Sequence, residues 1–116
     1  MSLWRKEASR CLPELQAKIA DTSVKNPSDL WMALQWEFDR LCHQQSPPIG
    51  LLSRIWDYAK WSAQHKDESV QWAAINFFFE KIEDTRVYRE VLPSFMSAKD
   101  YAQYTGQRVP DKTPKS

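Results

Sequence analysis

Closely spaced carboxylates are the first residues of this 116-residue chain that could do chemistry. General acid–base catalysis needs two titratable groups in different environments, and Glu80 with Glu83 or Glu37 with Asp39 would be the pairs to supply them. Carboxylates at such spacings are also ordinary on the solvated faces of helices. We therefore expect these pairs to serve structure or recognition, and we predict that the chain is not an enzyme.

The histidines and cysteines are the residues that could bind a metal or act as nucleophiles. His43 and His65 are the only histidines, and neither has a ligand partner at the i+4 spacing of the HExxH pattern. Cys11 and Cys42 fall in helical patterns and not in a CxxC pair, so we expect two buried free thiols. Two glycines are too few for phosphate-cradling loops or a nucleophile elbow. We expect no metal and no cofactor.

Aromatic residues give the strongest functional signal, because six of the residues are tryptophan. On two of the predicted helices, large amphipathic side chains fall opposite the stripe that would form the core. Such side chains are either buried by a further helix or displayed as interface anchors, where Trp and Tyr are enriched. If displayed, they would bind a protein partner or a second copy of the chain. The candidates are Met32, Trp36 and His43 on one helix and Tyr58, Trp61 and His65 on the next.

A second candidate surface is polar. The segment from about 68 to 84 is apolar on most of its circumference, which predicts a helix in the middle of the fold. Asn76, Glu80 and Glu83 follow one another at i, i+4 and i+7 and would form its one narrow polar stripe. We expect this stripe to face solvent or a basic partner, where carboxylates would speed association.

Charge and hydropathy argue against two other classes of partner. The chain has 16 Lys and Arg against 15 Asp and Glu, and Asp57 offsets Arg54 and Lys60 next to the aromatic residues, so no basic groove for nucleic acid is indicated. No apolar run approaches the roughly 18 to 20 residues that span a bilayer, and the N-terminus lacks the apolar region of a signal peptide. We expect a cytoplasmic protein that binds neither nucleic acid nor membrane.

The elements that must position these residues are helices, because periodic apolar segments are separated by proline-bearing loops. We predict one compact all-α domain of five or six helices over residues 1–106, followed by a flexible tail over 107–116. Pro13 interrupts the first apolar stripe, so either one helix kinks there or a second helix begins with Pro13 in its first turn. Asn26 or Ser28 would cap the next helix. The remaining helices are expected over about 29–45, 49–64 and 68–84, through Val87 to Leu92, and from Ser97 to Gly106.

Part of the chain, roughly residues 30–105, resembles small all-helical bacterial proteins of unknown function. The resemblance lies in the aromatic-rich segment 55–61, the hydrophobic segment 69–80 and the Leu-Pro step at Leu92. Some of those proteins are similar to immunity proteins, which neutralise toxins delivered between competing bacteria. The resemblance implies a non-catalytic immunity protein that binds a cognate toxin. The alternative is a regulatory or scaffolding module that forms a homodimer through exposed aromatic residues.

Overall fold

The computed structural model describes residues 2–82 and 86–105, and within these ranges it is a single all-α domain without strands. The fold class predicted from the sequence is therefore confirmed. Short 3₁₀ turns over Pro13–Leu15, Phe79–Lys81 and Leu92–Ser94 connect some of the helices. The helices are α1 (Leu3–Cys11), α2 (Gln16–Ile19), α3 (Pro27–Cys42), α4 (Ile49–Ala63), α5 (Glu68–Phe77), α6 (Arg86–Val91) and α7 (Ala98–Thr105).

The N-terminal segment divides at Pro13, as the second of the two alternatives predicts. Helix α1 ends at Cys11, and Pro13 occupies the first position of the 3₁₀ turn, where its missing N–H leaves no hydrogen bond unmade. Two arginines fasten this segment to the rest of the domain. The Arg5 guanidinium donates to the carbonyls of Ile19 and Val24, and Arg54 on α4 pairs with the Glu14 carboxylate.

Helix α3 forms one wall of the core. Asn26 is its N-cap, because the Asn26 side chain accepts a hydrogen bond of 2.8 Å from the Asp29 N–H, and Pro27 stands in the first turn. The opposite wall comes from α4 and α5, which pack against each other and against α3. The core stripe predicted for α3 is confirmed, since all six of its members are buried: Leu30, Trp31, Leu34, Phe38, Leu41 and Cys42.

Helix α5 is shorter than predicted. It ends at Phe77, and Phe78 leaves the helical conformation with φ −122° and ψ −63°. The departure turns the Phe78 ring into the core, where it is 1% exposed and contacts the rings of Trp31, Phe38 and Trp56. Burial of this ring outweighs continuation of the helix to residue 84, so the prediction of one helix over 68–84 is wrong.

The C-terminal elements close the other end of the core. Helix α6 and the turn after it bury Tyr88, Val91 and Leu92. Ser97 caps α7 as predicted, because its Oγ accepts from the Asp100 N–H at 3.0 Å. The Asp100 carboxylate in turn accepts from Lys60 Nζ at 3.0 Å and Trp56 Nε1 at 3.3 Å, which fixes α7 to α4. The predicted stop at Gly106 and the predicted tail over 107–116 lie outside the described residues.

No helix in the described ranges has the length and hydropathy needed to cross a membrane.

Candidate partner-binding surface

One face of α3 displays three of the predicted partner-binding residues together. Met32, Trp36 and His43 are all exposed, and Trp36 is 62% exposed. At 100° per residue these three positions fall within about 40° of one another on the helix. Arg40 lies next to them on the same side. We call the surface made by Met32, Trp36, Arg40 and His43 the α3 face.

The Trp36 ring makes a cation–π contact with a lysine of another helix. Lys18 Nζ, on α2, lies 5.6 Å from the centroid of the Trp36 ring, within the range of a cation–π interaction. The same Nζ lies 3.5 Å from Glu37 Oε2. Glu37 also pairs with the Arg40 guanidinium, one turn further along the helix. The tryptophan is therefore exposed and at the same time in contact with a cation that is itself paired with Glu37.

Glu37 is the anchor of this small network. Its side chain is almost fully buried, at 3% exposure for the residue, and the two cations that neutralise it are both partly exposed. The hydrogen bond from Arg40 is the main reason that the pKa of Glu37 lies below its ordinary value, and Lys18 contributes to the same effect. Glu37 thus stays ionised and structural. It does not form an acid–base pair with Asp39, whose carboxylate accepts the Tyr88 hydroxyl at 2.7 Å.

The His43 end of the α3 face borders a cleft of about 560 Å³ between α3 and α6. His43 Nδ1 lies 2.8 Å from the Asp39 carbonyl oxygen and 3.8 Å from Asp39 Oδ2, so a neutral ring would donate from Nδ1 and leave Nε2 as the acceptor. Lys81 and Tyr88 also line the cleft. A second, smaller cleft shares His43 as a lining residue. The cleft has both polar and apolar lining residues and opens at the end of the α3 face.

The candidates on α4 lie deeper than predicted. Tyr58 is 1% exposed, and its hydroxyl donates to the Trp4 carbonyl oxygen at 2.9 Å. It belongs to the core, because α1 and α3 both cover the side of α4 that the helical phase left uncovered. Burial also raises the pKa of Tyr58. The expectation that Tyr58 is a surface anchor is thereby corrected.

Trp61 and His65 continue outward from Tyr58 as a column of rings. The Trp61 ring stacks on Tyr58 with centroids 5.7 Å apart, and the His65 ring lies 4.8 Å from that of Trp61. Both residues are half-buried. His65 Nδ1 accepts a hydrogen bond of 2.9 Å from the Asp67 N–H, which places this ring in the turn before α5. Their main contacts are with the domain itself.

The polar stripe predicted over Asn76, Glu80 and Glu83 does not form as one helical face. The helix ends at Phe77, so Asn76 lies on α5 while Glu80 lies, exposed, in the following 3₁₀ turn. Asn76 Nδ2 donates to the Trp72 carbonyl oxygen at 2.9 Å and is engaged within its own helix. Glu83 lies outside the described residues.

Sequence reasoning missed an apolar patch on the outer side of α5. Trp72 is 55% exposed and Ile75 is 37% exposed, although an all-round apolar helix predicts that both are buried. The Trp72 ring contacts Phe77 at 5.6 Å, and a shallow groove of about 380 Å³ runs along this patch beside Glu68 and Gln71. Helical phase places Trp72 and Ile75 opposite Val70 and Ala73, which are buried, but both sides of α5 are apolar, so the sequence does not show which side faces out. The only sign of this patch in the sequence is that α5 is apolar on most of its circumference.

The thiols do not extend the chemistry of the site. Both cysteines are free, as predicted. Cys42 is buried, whereas Cys11 is only half-buried, so the prediction of two buried thiols holds for Cys42 alone. Desolvation raises the pKa of Cys42 to about 12 and also raises that of Cys11, which keeps both as unreactive thiols. Across residues 2–82 and 86–105, no three His, Cys, Asp or Glu side chains cluster as a metal site would require.

Comparison with known proteins found no match among protein-family models, curated proteins or solved structures. The arrangement itself is suited to contact with another macromolecule: an exposed indole on a helix, a thioether beside it, a cation over its ring and an open cleft at one end. These are the parts of a recognition surface.

Proposed function

We propose that this protein is a non-catalytic protein-binding domain whose α3 face docks a partner around Trp36. The observation that carries the proposal is the exposure of Trp36 together with its contact with Lys18. Tryptophan has only two side-chain torsions, so an exposed tryptophan loses little conformational freedom on binding. Its burial at an interface would then contribute as a hot-spot residue does, about 2 kcal/mol or more on truncation to alanine.

The most concrete form of this proposal is a cytoplasmic immunity protein that binds a cognate toxin. What supports it is the resemblance of the aromatic-rich and hydrophobic segments to small bacterial proteins of unknown function, some of which are similar to immunity proteins. An immunity protein needs no catalytic centre, since it acts by covering the active site of the toxin or its path to substrate. The convex α3 face with its exposed indole would fit into such a concave site.

The test of the proposal compares three proteins: wild type, Trp36→Ala and Trp72→Ala. Trp72 is the matched control, because it is a tryptophan of similar exposure on a different helix. Each protein is used to capture partners from the native host lysate, and its thermal unfolding is recorded in parallel. We expect one stoichiometric partner that wild type and Trp72→Ala retain and that Trp36→Ala loses, while the unfolding of Trp36→Ala is almost unchanged.

A second step separates an immunity protein from other binding domains. The captured partner's toxic domain is produced in cells together with wild type or with Trp36→Ala. Growth that only wild type restores supports toxin neutralisation. A partner that binds with Trp36-dependence but has no toxic effect leaves a binding domain that is not an immunity protein. Capture that Trp36→Ala retains in full contradicts the proposal.

A homodimer is the second candidate function, and the α5 patch is the observation that favours it. Trp72 and Ile75 offer an apolar surface on the side of α5 that faces away from α3 and α4. Light scattering on the purified chain tests this candidate directly. A dimer that Trp72→Ala dissociates and Trp36→Ala leaves intact supports self-association through α5, and a monomer at high concentration rejects it.

A further inference from the structure

The α5 patch presents an aromatic pair beside a shallow groove. Trp72 is 55% exposed, and the Phe77 ring meets it edge to face at a centroid distance of 5.6 Å. Exposed aromatic rings are the surfaces on which the prolines of an extended polyproline segment pack. We call the groove beside this pair the α5 groove; its lining residues are Glu68, Gln71, Trp72, Ile75 and Asn76.

The side-chain amides of the α5 groove suit a segment that has no internal backbone hydrogen bonds. Gln71 Nε2 donates to the Ala63 carbonyl oxygen at 3.2 Å, and Asn76 Nδ2 donates to that of Trp72 at 2.9 Å. A side-chain amide has two N–H donors and one acceptor oxygen, so each keeps groups that can bind the backbone of another segment. A polyproline segment leaves its own backbone groups unpaired and can use them.

The part of this chain with matching chemistry follows α7. Residues 106–116 lie outside the described residues and read GQRVPDKTPKS, with prolines at positions 110 and 114 and three basic side chains against one acidic. Of the described residues that line the α5 groove, only Glu68 is charged, and the Lys66 and Asp67 that precede it offset each other. The segment and the groove therefore have opposite charge.

Helix α7 brings this segment within reach of the α5 groove. The Asp100 carboxylate on α7 accepts from Lys60 Nζ on α4, and Ala63, three residues further along α4, accepts the Gln71 amide of the groove. Packed helices have axes about 8–10 Å apart. From the end of α7 at Thr105, a polyproline chain that rises about 3.1 Å per residue covers about 28 Å by position 114. This length is ample to cross from α4 to the outer side of α5.

We propose that residues 109–114 of this chain occupy the α5 groove in a polyproline conformation, with a proline packed on the Trp72 indole. This goes beyond the proposed function, because it assigns the α5 patch to the chain itself and leaves the α3 face to the partner. It differs from the sequence expectation of a flexible tail, and it gives the patch an occupant other than a second copy. Tethering raises the effective concentration to the millimolar range, so a contact with a Kd of about 1 mM is populated about half the time.

Fluorine NMR on the full chain measures this contact at a single ring. All six tryptophans are replaced by 5-fluorotryptophan, and each resonance is assigned from a variant with that tryptophan changed to phenylalanine. A neutral gadolinium chelate in solution then speeds the relaxation of exposed fluorines. Trp36 is the internal control, at 62% exposure against 55% for Trp72. We expect the gadolinium effect on Trp72 to be about half of that on Trp36, because the segment covers the Trp72 indole about half the time.

Variants of the segment test the role of its prolines. Pro110→Ala combined with Pro114→Ala should raise the gadolinium effect on Trp72 about twofold, to the level of Trp36. Thr113→Ala, the matched control between the two prolines, should leave it unchanged. Thermal unfolding of each variant, expected at the wild-type Tm, verifies that the domain is intact.

Each outcome bears on what covers the α5 groove. Protection of Trp72 that depends on the two prolines and persists on dilution supports the proposal. Equal relaxation of Trp72 and Trp36 in the wild-type chain overturns it. Protection that the double variant keeps also overturns it, and protection that disappears on dilution identifies a second copy as the occupant instead. None of these results bears on the α3 face, which capture with Trp36→Ala tests separately.

Discussion

Phe78 is the residue at which the fold departs most clearly from helical periodicity, and its removal gives the sharpest test of the packing. In a helix that continued to residue 84, Phe77 would face the core with Val70 and Ala73. In the structure the helix breaks, Phe78 is buried at 1% exposure, and Phe77 is only half-buried. With the helix broken at Phe78, Phe78→Ala should therefore destabilise the domain more than Phe77→Ala. In a helix that continued to residue 84, the order should be the reverse.

The magnitude follows from what the Phe78 ring contacts. Its centroid lies 4.9 Å from that of Phe38, 5.0 Å from Trp31 and 6.2 Å from Trp56, so truncation opens a cavity that three large rings cannot fill. Loss of a fully buried Phe costs about 3–5 kcal/mol. At about 2 cal/mol/K of unfolding entropy per residue, a chain of this length loses about 4 °C for each kcal/mol. We expect Phe78→Ala to lower Tm by roughly 15 °C.

The control is Phe77→Ala, for which half-burial and one ring contact, with Trp72, predict about 1–2 kcal/mol. Unfolding in urea, followed by far-ultraviolet circular dichroism, measures both variants on the same scale. Equal m-values would show that the comparison is between similar unfolded states. A larger loss for Phe77→Ala than for Phe78→Ala would refute the break at Phe78 and restore the continuous helix.

Three further predictions concern polar contacts. Glu37→Gln should reduce the acid sensitivity of the domain. The lowered pKa of Glu37 stabilises wild type above the ordinary Glu range near pH 4.3, and this contribution is lost as pH falls toward the folded pKa, so the urea midpoints of the two proteins should approach each other below about pH 4. Asp100→Asn should weaken the contacts to Lys60 and Trp56 by about 1 kcal/mol, and hydrogen exchange should quicken in α7 while α3 stays protected; uniform quickening would contradict this. Asn26→Ala should lower stability by about 1 kcal/mol in urea and Asn26→Ser by much less, and equal losses would count against capping.

The core of α3 could be predicted from sequence, whereas the coverage of α4 could not. The six apolar residues at three- and four-residue spacing in α3 form a single stripe, so only one side of the helix could face the core, and all six are buried. Tyr58 lies opposite the core stripe of α4, so its burial depends on which helix packs against that side. That packing brings Trp4 within hydrogen-bond distance of the Tyr58 hydroxyl, a separation of 54 residues along the chain. Periodicity within one helix carries no information about such a contact.

The α5 patch and the Lys18 contact were beyond sequence reasoning for related reasons. Both sides of α5 are apolar, so its helical phase does not show which side is buried, and exposure of Trp72 and burial of Val70 are decided by where α3 and α4 lie. Trp36 was correctly placed outside the core by its helical phase. The cation–π contact between Lys18 and Trp36 joins α2 to α3, so the sequence of either helix alone does not predict it.

Site-specific photo-crosslinking tests the central claim most directly. A benzophenone amino acid is introduced at position 32, beside an intact Trp36 on the α3 face, or, as the control on another helix, at position 72, and each protein is irradiated in the native host lysate. We predict a single crosslinked partner from position 32 and none from position 72, with mass spectrometry locating one segment of that partner at the crosslink. Crosslinks from position 72 alone, or only between copies of this chain, would contradict a partner docked on Trp36.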